Sequence, residues 1–241
     1  MEVYWLERTE ADVPAENAWL SADEIARLNG MRFAKRRTDW RLGRWTAKRA
    51  LASYLNLPAH PHVLGRIEIR PAQSGAPEGF LANKPADVTI SLSHRDGRAI
   101  CAVAPSGVEL GCDLEAIEPH GDAFLSDYFT AEEQALVARA PATDRARLLT
   151  LLWSGKESAL KALHAGLRLD TRSVIVSPDD ESFDLNGWSR LQVRYTDGRT
   201  FYGWWQHIDN IVRTVVANSP VDSPIPLKIP VYLSDRVALC T

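Results

Sequence analysis

The sequence predicts an α+β protein made of two similar halves. Three observations carry that expectation: a repeat of half the chain, long helices with an apolar stripe, and short strands that alternate apolar with polar residues. Displacing the 241-residue sequence by 108 positions lays Trp45-Thr46-Ala47-Lys48-Arg49-Ala50 over Trp153-Ser154-Gly155-Lys156-Glu157-Ser158. Each copy follows a capped helix and has its own apolar strand, ending at 101–104 in one half and 214–217 in the other. Residues 1–107 are therefore read as a basic N-terminal half, 108–218 as an acidic C-terminal half, and 219–241 as a Pro-rich tail expected to be extended or loosely attached.

Hydrophobic residues make up 45% of the chain and charged residues 24%, an ordinary globular profile. A net charge of −3 gives no whole-molecule attraction to nucleic acid or an anionic membrane. Cys101, Cys112 and Cys240 are odd in number and widely spaced, so neither a disulfide framework nor a zinc pattern is expected, and a reducing cytoplasm is the default compartment. No run of about 18 apolar residues suggests a membrane span.

In chain order, residues 3–6 read as a strand. Ser21-Ala22-Asp23-Glu24 is a capping box opening a helix through Leu28. Residues 32–49 are dense in Arg and Lys, with Phe33, Trp40 and Trp45 among them at roughly helical spacing; guanidinium groups in such a run suit phosphate oxygens. Pro58 and Pro61 break that helix, residues 65–70 resemble a strand, and 71–79 a loop. Val88, Ile90 and Leu92 alternate with polar residues, and residues 94–98 turn into an apolar strand over 99–104. In residues 108–115, Val108, Leu110, Cys112 and Leu114 share one strand face. Glu109, Asp113 and Glu115 fall on the other, the last two ~6.6 Å apart at ~3.3 Å per residue. Gly111 strips the side chain beside these acids, as if something must approach there. Thr130 caps a helix running to about Arg139, and strands are expected at 172–177, 191–195, 201–206 and 211–217.

The helix over 143–165 organises the rest. Leu149, Leu152, Ala159, Leu160 and Leu163 form its apolar stripe, yet Lys156 lies in the middle of it, and an unpaired buried charge is costly. Glu157 and Lys161 stand four apart, where the repeat has Arg49 in place of Glu157. If this helix lies against the acidic strand, Asp113, Glu115 and Glu157 form a carboxylate cluster. Each like-charge pair at ~4 Å then costs about 4 kcal/mol at an effective dielectric near 20, so the cluster wants protons or a divalent ion, with oxygen ligands favouring Mg²⁺. Facing a basic cleft, such a cluster describes chemistry at a diphosphate.

These motifs resemble the Sfp-type 4'-phosphopantetheinyl transferases. Gly111-Cys112-Asp113-Leu114-Glu115 is similar to the family's G-hydrophobic-D-hydrophobic-E, and Trp153-Ser154-Gly155-Lys156-Glu157-Ser158 with Lys161 to its W-x-x-K-E-S-x-x-K. Ser91-Leu92-Ser93-His94 looks like its serine-histidine hairpin and Lys84-Pro85 like its basic-proline turn. The resemblance implies two pseudo-symmetric halves with one active site at their interface. It gives Asp113, Glu115 and Glu157 to Mg²⁺ and Lys161 to the coenzyme A diphosphate. His94, Lys84, Pro85 and Ser93 go to the nucleotide end, with Lys35, Arg36 and Arg44 as further phosphate contacts. The implied reaction is attack by a serine of an apo acyl or peptidyl carrier protein on the β-phosphate of coenzyme A, with Glu157, directly or through a metal-bound water, as base and Lys161 steadying 3',5'-ADP. The departures are Cys112 for a branched aliphatic, Gly155 inside a helix, and Asn83 where glycine is common; none removes a ligand. The repeat suggests a monomer.

Two other readings compete. A Mg²⁺-dependent nuclease or phosphodiesterase also uses acids with a Glu and a Lys, though usually two apart on a strand. A non-catalytic coenzyme A-binding protein would keep the basic grip but has no need of the acids.

Overall fold

The computed structural model describes residues 1–184 and 186–228; the rest of the tail, with Pro230 and Cys240, lies outside the described residues. The α+β expectation holds. In order, the chain forms β1 (Tyr4–Thr9), α1 (Ala22–Asn29), α2 (Ala34–Tyr54), α3 (Pro61–Leu64), β2 (Ile67–Pro71), β3 (Pro77–Leu81), β4 (Lys84–Pro85), β5 (Val88–Arg95) and β6 (Arg98–Pro105). It continues with β7 (Leu110–Ala116), α4 (Asp122–Tyr128), α5 (Ala131–Arg139), α6 (Arg145–Ala162), β8 (Val174–Phe183), β9 (Ser189–Tyr195), β10 (Thr200–Ile208), β11 (Ile211–Ala217) and β12 (Ile225–Pro226).

Three sheets result. One is ordered β12-β1-β6-β5, a second β7-β11-β10-β9-β8, and a small third β2-β3-β4. Helix α2 buries Trp45, Ala47, Ala50 and Leu51 against the first sheet and β2, and α6 buries Leu151, Leu152, Ala159 and Leu160 against the second. Between the two large sheets lies a shared core: Val3, Ile100 and Ala102 from one meet Cys112, Leu114 and Val215 from the other.

Both stripe lysines are fully buried and satisfied in the same way. Lys48 donates to the carbonyls of Trp19 (3.0 Å) and Leu64 (3.1 Å) and pairs with Glu24. Lys156 donates to the carbonyls of Thr171 (2.9 Å) and Val174 and pairs with Glu133 at 2.8 Å. Each glutamate is also the third residue of a capping box, opened by Ser21 and by Thr130 respectively. The hydrogen-bond and ion-pair partners of Lys156 thus all lie between Glu133 and Val174.

Over its described part the tail is extended and docked on the first sheet. Tyr4 and Trp5 pair in parallel register with Ile225 and Pro226, and Leu227 packs on the α2 core. Short strand β4 and helix α4 were absent from the sequence reading. The first pairs only through Phe80 and Leu81, and the second follows a Pro-His-Gly run that reads locally as a loop. Asn83 takes the left-handed conformation (φ 65°) that its departure from glycine required.

Candidate active site

The acids of β7 face a helix rather than water. At Gly111 the backbone of α6 comes so close that an added Cβ would stand 1.7 Å from the Ser158 carbonyl oxygen, which explains the glycine: what approaches is the helix itself. On the same side Thr214, opposite Asp113 in the β7–β11 ladder, bonds Ser154 and Ser158 of α6 through its hydroxyl (2.9 and 2.6 Å). Gly155 answers the same need toward β8, where an added Cβ would meet Val176 Cγ1 at 2.8 Å.

Asp113 is consequently 2% exposed. Its Oδ1 accepts from Lys161 Nζ (2.7 Å) and from Ser93 Oγ (2.8 Å), while Lys161 also donates to the Cys112 carbonyl (3.1 Å). Oδ2 is buried with no hydrogen-bond partner among the described residues. Burial and then the charge of Asp113 push Glu115 up to about 7, against the pull of Arg95, a hydrogen bond from Trp153, and Lys161. Glu157 is raised for the same two reasons and opposed by Lys161. Burial works to lower the Lys161 ammonium, but Asp113, Cys112 and Glu157 outweigh it and its pKa is raised.

Asp113, Glu115, Glu157 and Lys161 therefore form one electrostatic unit, with Ser93 tied into it. Among the described residues, however, no three His, Cys, Asp or Glu side chains stand together as a metal-holding group. In place of the closed three-carboxylate cluster expected from the sequence, Lys161 supplies the counter-charge to Asp113. The donor set still fits a hard cation: all oxygen, one buried atom lacking a partner, and two neighbours whose ionisation is held back.

Lys161 also lines a cleft of about 420 Å³, walled by Ile90, Ser91, Leu92 and Leu110 and by the Ser74–Pro77 turn. Arg168 closes its rim by donating to the Ser74 carbonyl (3.3 Å). A second cavity, about 500 Å³, gathers Lys35, Arg36 and His94 with Phe33, Asp39 and Trp40. It opens at the N-terminus of α2, which has no side-chain cap and no acid in its first turn. Lys35 pairs with Asp39 there (3.2 Å), and Arg36 stands with the positive end of the helix dipole, an arrangement suited to an anion.

The remaining expected residues stand apart. Arg44 is nearly buried, over the Trp40 ring (4.9 Å) and 4.0 Å from Glu24, and burial lowers it to about 10, so its surroundings are structural. Lys84 and Pro85 are exposed on β4 and line neither cavity just described. Arg95 was missed by the sequence reading. It pairs with Glu115 (3.6 Å) and Glu118 (3.1 Å), and its place in the turn after His94 gave no sign of this.

Residues 109–217, which contain β7 and α6 with Asp113, Glu115, Glu157 and Lys161, match the model of the 4'-phosphopantetheinyl transferase superfamily. The protein named 4'-phosphopantetheinyl transferase HetI, from Nostoc sp., is 27% identical over 195 residues, spanning 78% of this chain and 79% of its own. The match to that superfamily's model spans residues 109–217, a little under half of the chain. Both matches are to transferases, and they favour that activity over the nuclease reading. The superfamily model takes in Asp113, Glu115, Glu157 and Lys161, whereas Ser93, His94, Lys35 and Arg36 lie before its first matched residue.

Proposed function

We propose that this protein transfers the 4'-phosphopantetheine group of coenzyme A to a serine of an apo acyl or peptidyl carrier protein, in a Mg²⁺-dependent reaction that releases 3',5'-ADP. The observation that carries the reading is buried Asp113, held between Lys161 and Ser93 beside two carboxylates of raised pKa, in a stretch that matches this superfamily's model. In this reading the two halves are related copies and the site lies between them.

The serine oxygen attacks the β-phosphorus of coenzyme A, a new P–O bond forms, and the bond to the bridging oxygen breaks so that 3',5'-ADP leaves. Glu157 takes the serine proton. Its raised pKa brings it nearer neutrality, where a carboxylate serves best as a general base. Lys161, beside the cleft, donates to the diphosphate oxygens and balances the charge that grows on the leaving group. Asp113, Glu115 and Glu157 would hold the divalent cation, which when bound neutralises the diphosphate. We place the pantetheine arm in the cleft with Ile90, Leu92 and Lys161, and the phosphorylated nucleotide end against Lys35, Arg36 and His94. Lys84, Pro85 and Arg44 receive no support from their positions. The protein would act as a monomer in the cytoplasm; no helix among the described residues is long and apolar enough to cross a membrane.

The test is direct. Apo-carrier proteins of fatty-acid, polyketide and peptide synthesis are incubated with the protein, coenzyme A and Mg²⁺, and intact-mass spectrometry reads the gain of phosphopantetheine. Modification is expected for at least one carrier, and not with Glu157→Ala. If no carrier is modified and coenzyme A does not bind, the reading is wrong.

A further inference from the structure

The two buried lysines have the same chemistry but different neighbours. The residue after Lys156 is Glu157, and Lys161 lies one turn beyond; the residue after Lys48 is Arg49, a base where the other copy has an acid. At about 100° per residue, whatever fixes Lys156 also fixes the direction in which Glu157 leaves the helix. The Lys156 ammonium meets three acceptors, the Thr171 and Val174 carbonyls and Glu133, so its three protons are all used. Glu133 is 1% exposed, and its second oxygen accepts from the Val176 amide (3.0 Å). Val176 is the residue against which Gly155 is pressed. Gly155 and Lys156 thus form one seam with β8, on the flank of α6 away from Gly111.

For stability alone such a pair has little to recommend it. A buried ion pair is often no more stabilising than apolar side chains of similar volume, whereas its directional bonds fix geometry more tightly than apolar packing does. We propose that Gly155 and Lys156 are positioning residues. By locking α6 to β8 they set the axial register at which Glu157 meets the reacting serine and Lys161 meets Asp113. The proposal rests on the transferase reading of the site. Lys48 is its internal control, with equal burial and an equivalent carbonyl-and-carboxylate cage but no catalytic neighbour.

Four variants test this: Lys156→Met, Lys48→Met, Gly155→Ala, and Gly155→Ala combined with Val176→Ala. Transfer from coenzyme A to a carrier that the unmutated protein modifies is followed well below each variant's unfolding midpoint. Both lysine variants are expected to lose thermal stability. Only Lys156→Met is expected to lose kcat, by about 30-fold or more with KM for coenzyme A within about 2-fold, because a misplacement near 1 Å is enough for a loss of that order. Gly155→Ala is expected to lose kcat about 10-fold, and Val176→Ala to restore it by removing the contact. Equal kcat losses in the two lysine variants, an unchanged kcat in Lys156→Met, or no rescue by Val176→Ala each overturn the proposal. Should Lys156→Met fail to fold, the glycine pair decides it alone. Inactivity of the unmutated protein overturns both the transferase reading and the positioning role.

Discussion

Glu115 joins the electrostatics of the site to pH most directly. Its carboxyl sits at about 7 instead of 4.5, chiefly through burial and then through Asp113. Between those two values the folded protein holds a proton that the unfolded chain releases. This group's contribution to stability is therefore most favourable below the unfolded pKa and diminishes as pH rises through the window to about 7. A bound cation reverses the preference, because it favours the ionised form. Thermal melts with and without Mg²⁺ should show a larger rise in midpoint at pH 8 than at pH 6, and calorimetric titration with Mn²⁺ should show affinity climbing through about 7 and then levelling. In Glu115→Gln both dependences should flatten; a metal response equal at the two pH values removes Glu115 from the ligand set. Of this chemistry the sequence showed the acids on one strand face and a Glu–Lys pair on a helix. It did not show that Ser93 and Lys161 converge on one oxygen of Asp113, because that depends on β5 and α6 meeting β7 from different sides.

Gly111 marks the contact on which the geometry of α6 and β7 depends. A methyl group there would overlap the Ser158 carbonyl, and backbone cannot swing aside as a long side chain does. Gly111→Ala is expected to cost more than about 3 kcal/mol in urea unfolding, above the usual range for overpacking because the clash is with main chain. A loss under about 1 kcal/mol would mean the two elements can separate freely. At the other basic element, the uncapped start of α2, Lys35→Ala and Arg36→Ala are expected to raise KM for coenzyme A several-fold with kcat little changed, the pattern for a contact made equally in ground and transition states. A fall in kcat without a change in KM would move these residues out of the nucleotide site. The helices were readable because their stripes, capping boxes and spacing are local: α1 and α5 begin at the Ser21 and Thr130 caps. Gly155 was readable only as a weak point in a helix. Its reason, Val176, comes from a strand some twenty residues away, and no local pattern reports that contact.

At the scale of the whole molecule the question is what holds the two large sheets in one register. The repeat predicted two related units, and the structure gives two sheets with a common core, but the bonds between them come from positions that do not correspond in the repeat. Glu7 on β1 is ion-paired with Arg213 on β11 (Nε to Oε2, 2.6 Å) and accepts a hydrogen bond from Arg98 on β6 (3.2 Å). Arg213 also donates to Gln206 (2.8 Å) and lies 5.2 Å from the Trp5 ring centre. The tail adds a strap, since Trp204 donates to the Val221 carbonyl (3.0 Å) just before β12 pairs with β1. Nothing local announced either tie: the first joins residues about two hundred positions apart, and the second enlists a Pro-rich segment read only as extended or loosely attached. Glu7 and Arg213 are only 13% and 8% exposed, so removing one charge leaves the other poorly solvated. Glu7→Gln is expected to cost about 2–4 kcal/mol, with Arg213→Met costing less because it removes the stranded charge as well as the bond. In the double variant Arg213→Met should recover part of the Glu7→Gln loss, giving a coupling of at least about 1 kcal/mol in a double-mutant cycle. Because both sheets share one core, unfolding should remain a single transition in all three variants. Two separated transitions in Glu7→Gln would mean that the sheets fold as independent units and that this pair, more than the apolar core shared by Ile100 and Leu114, holds the two sheets together.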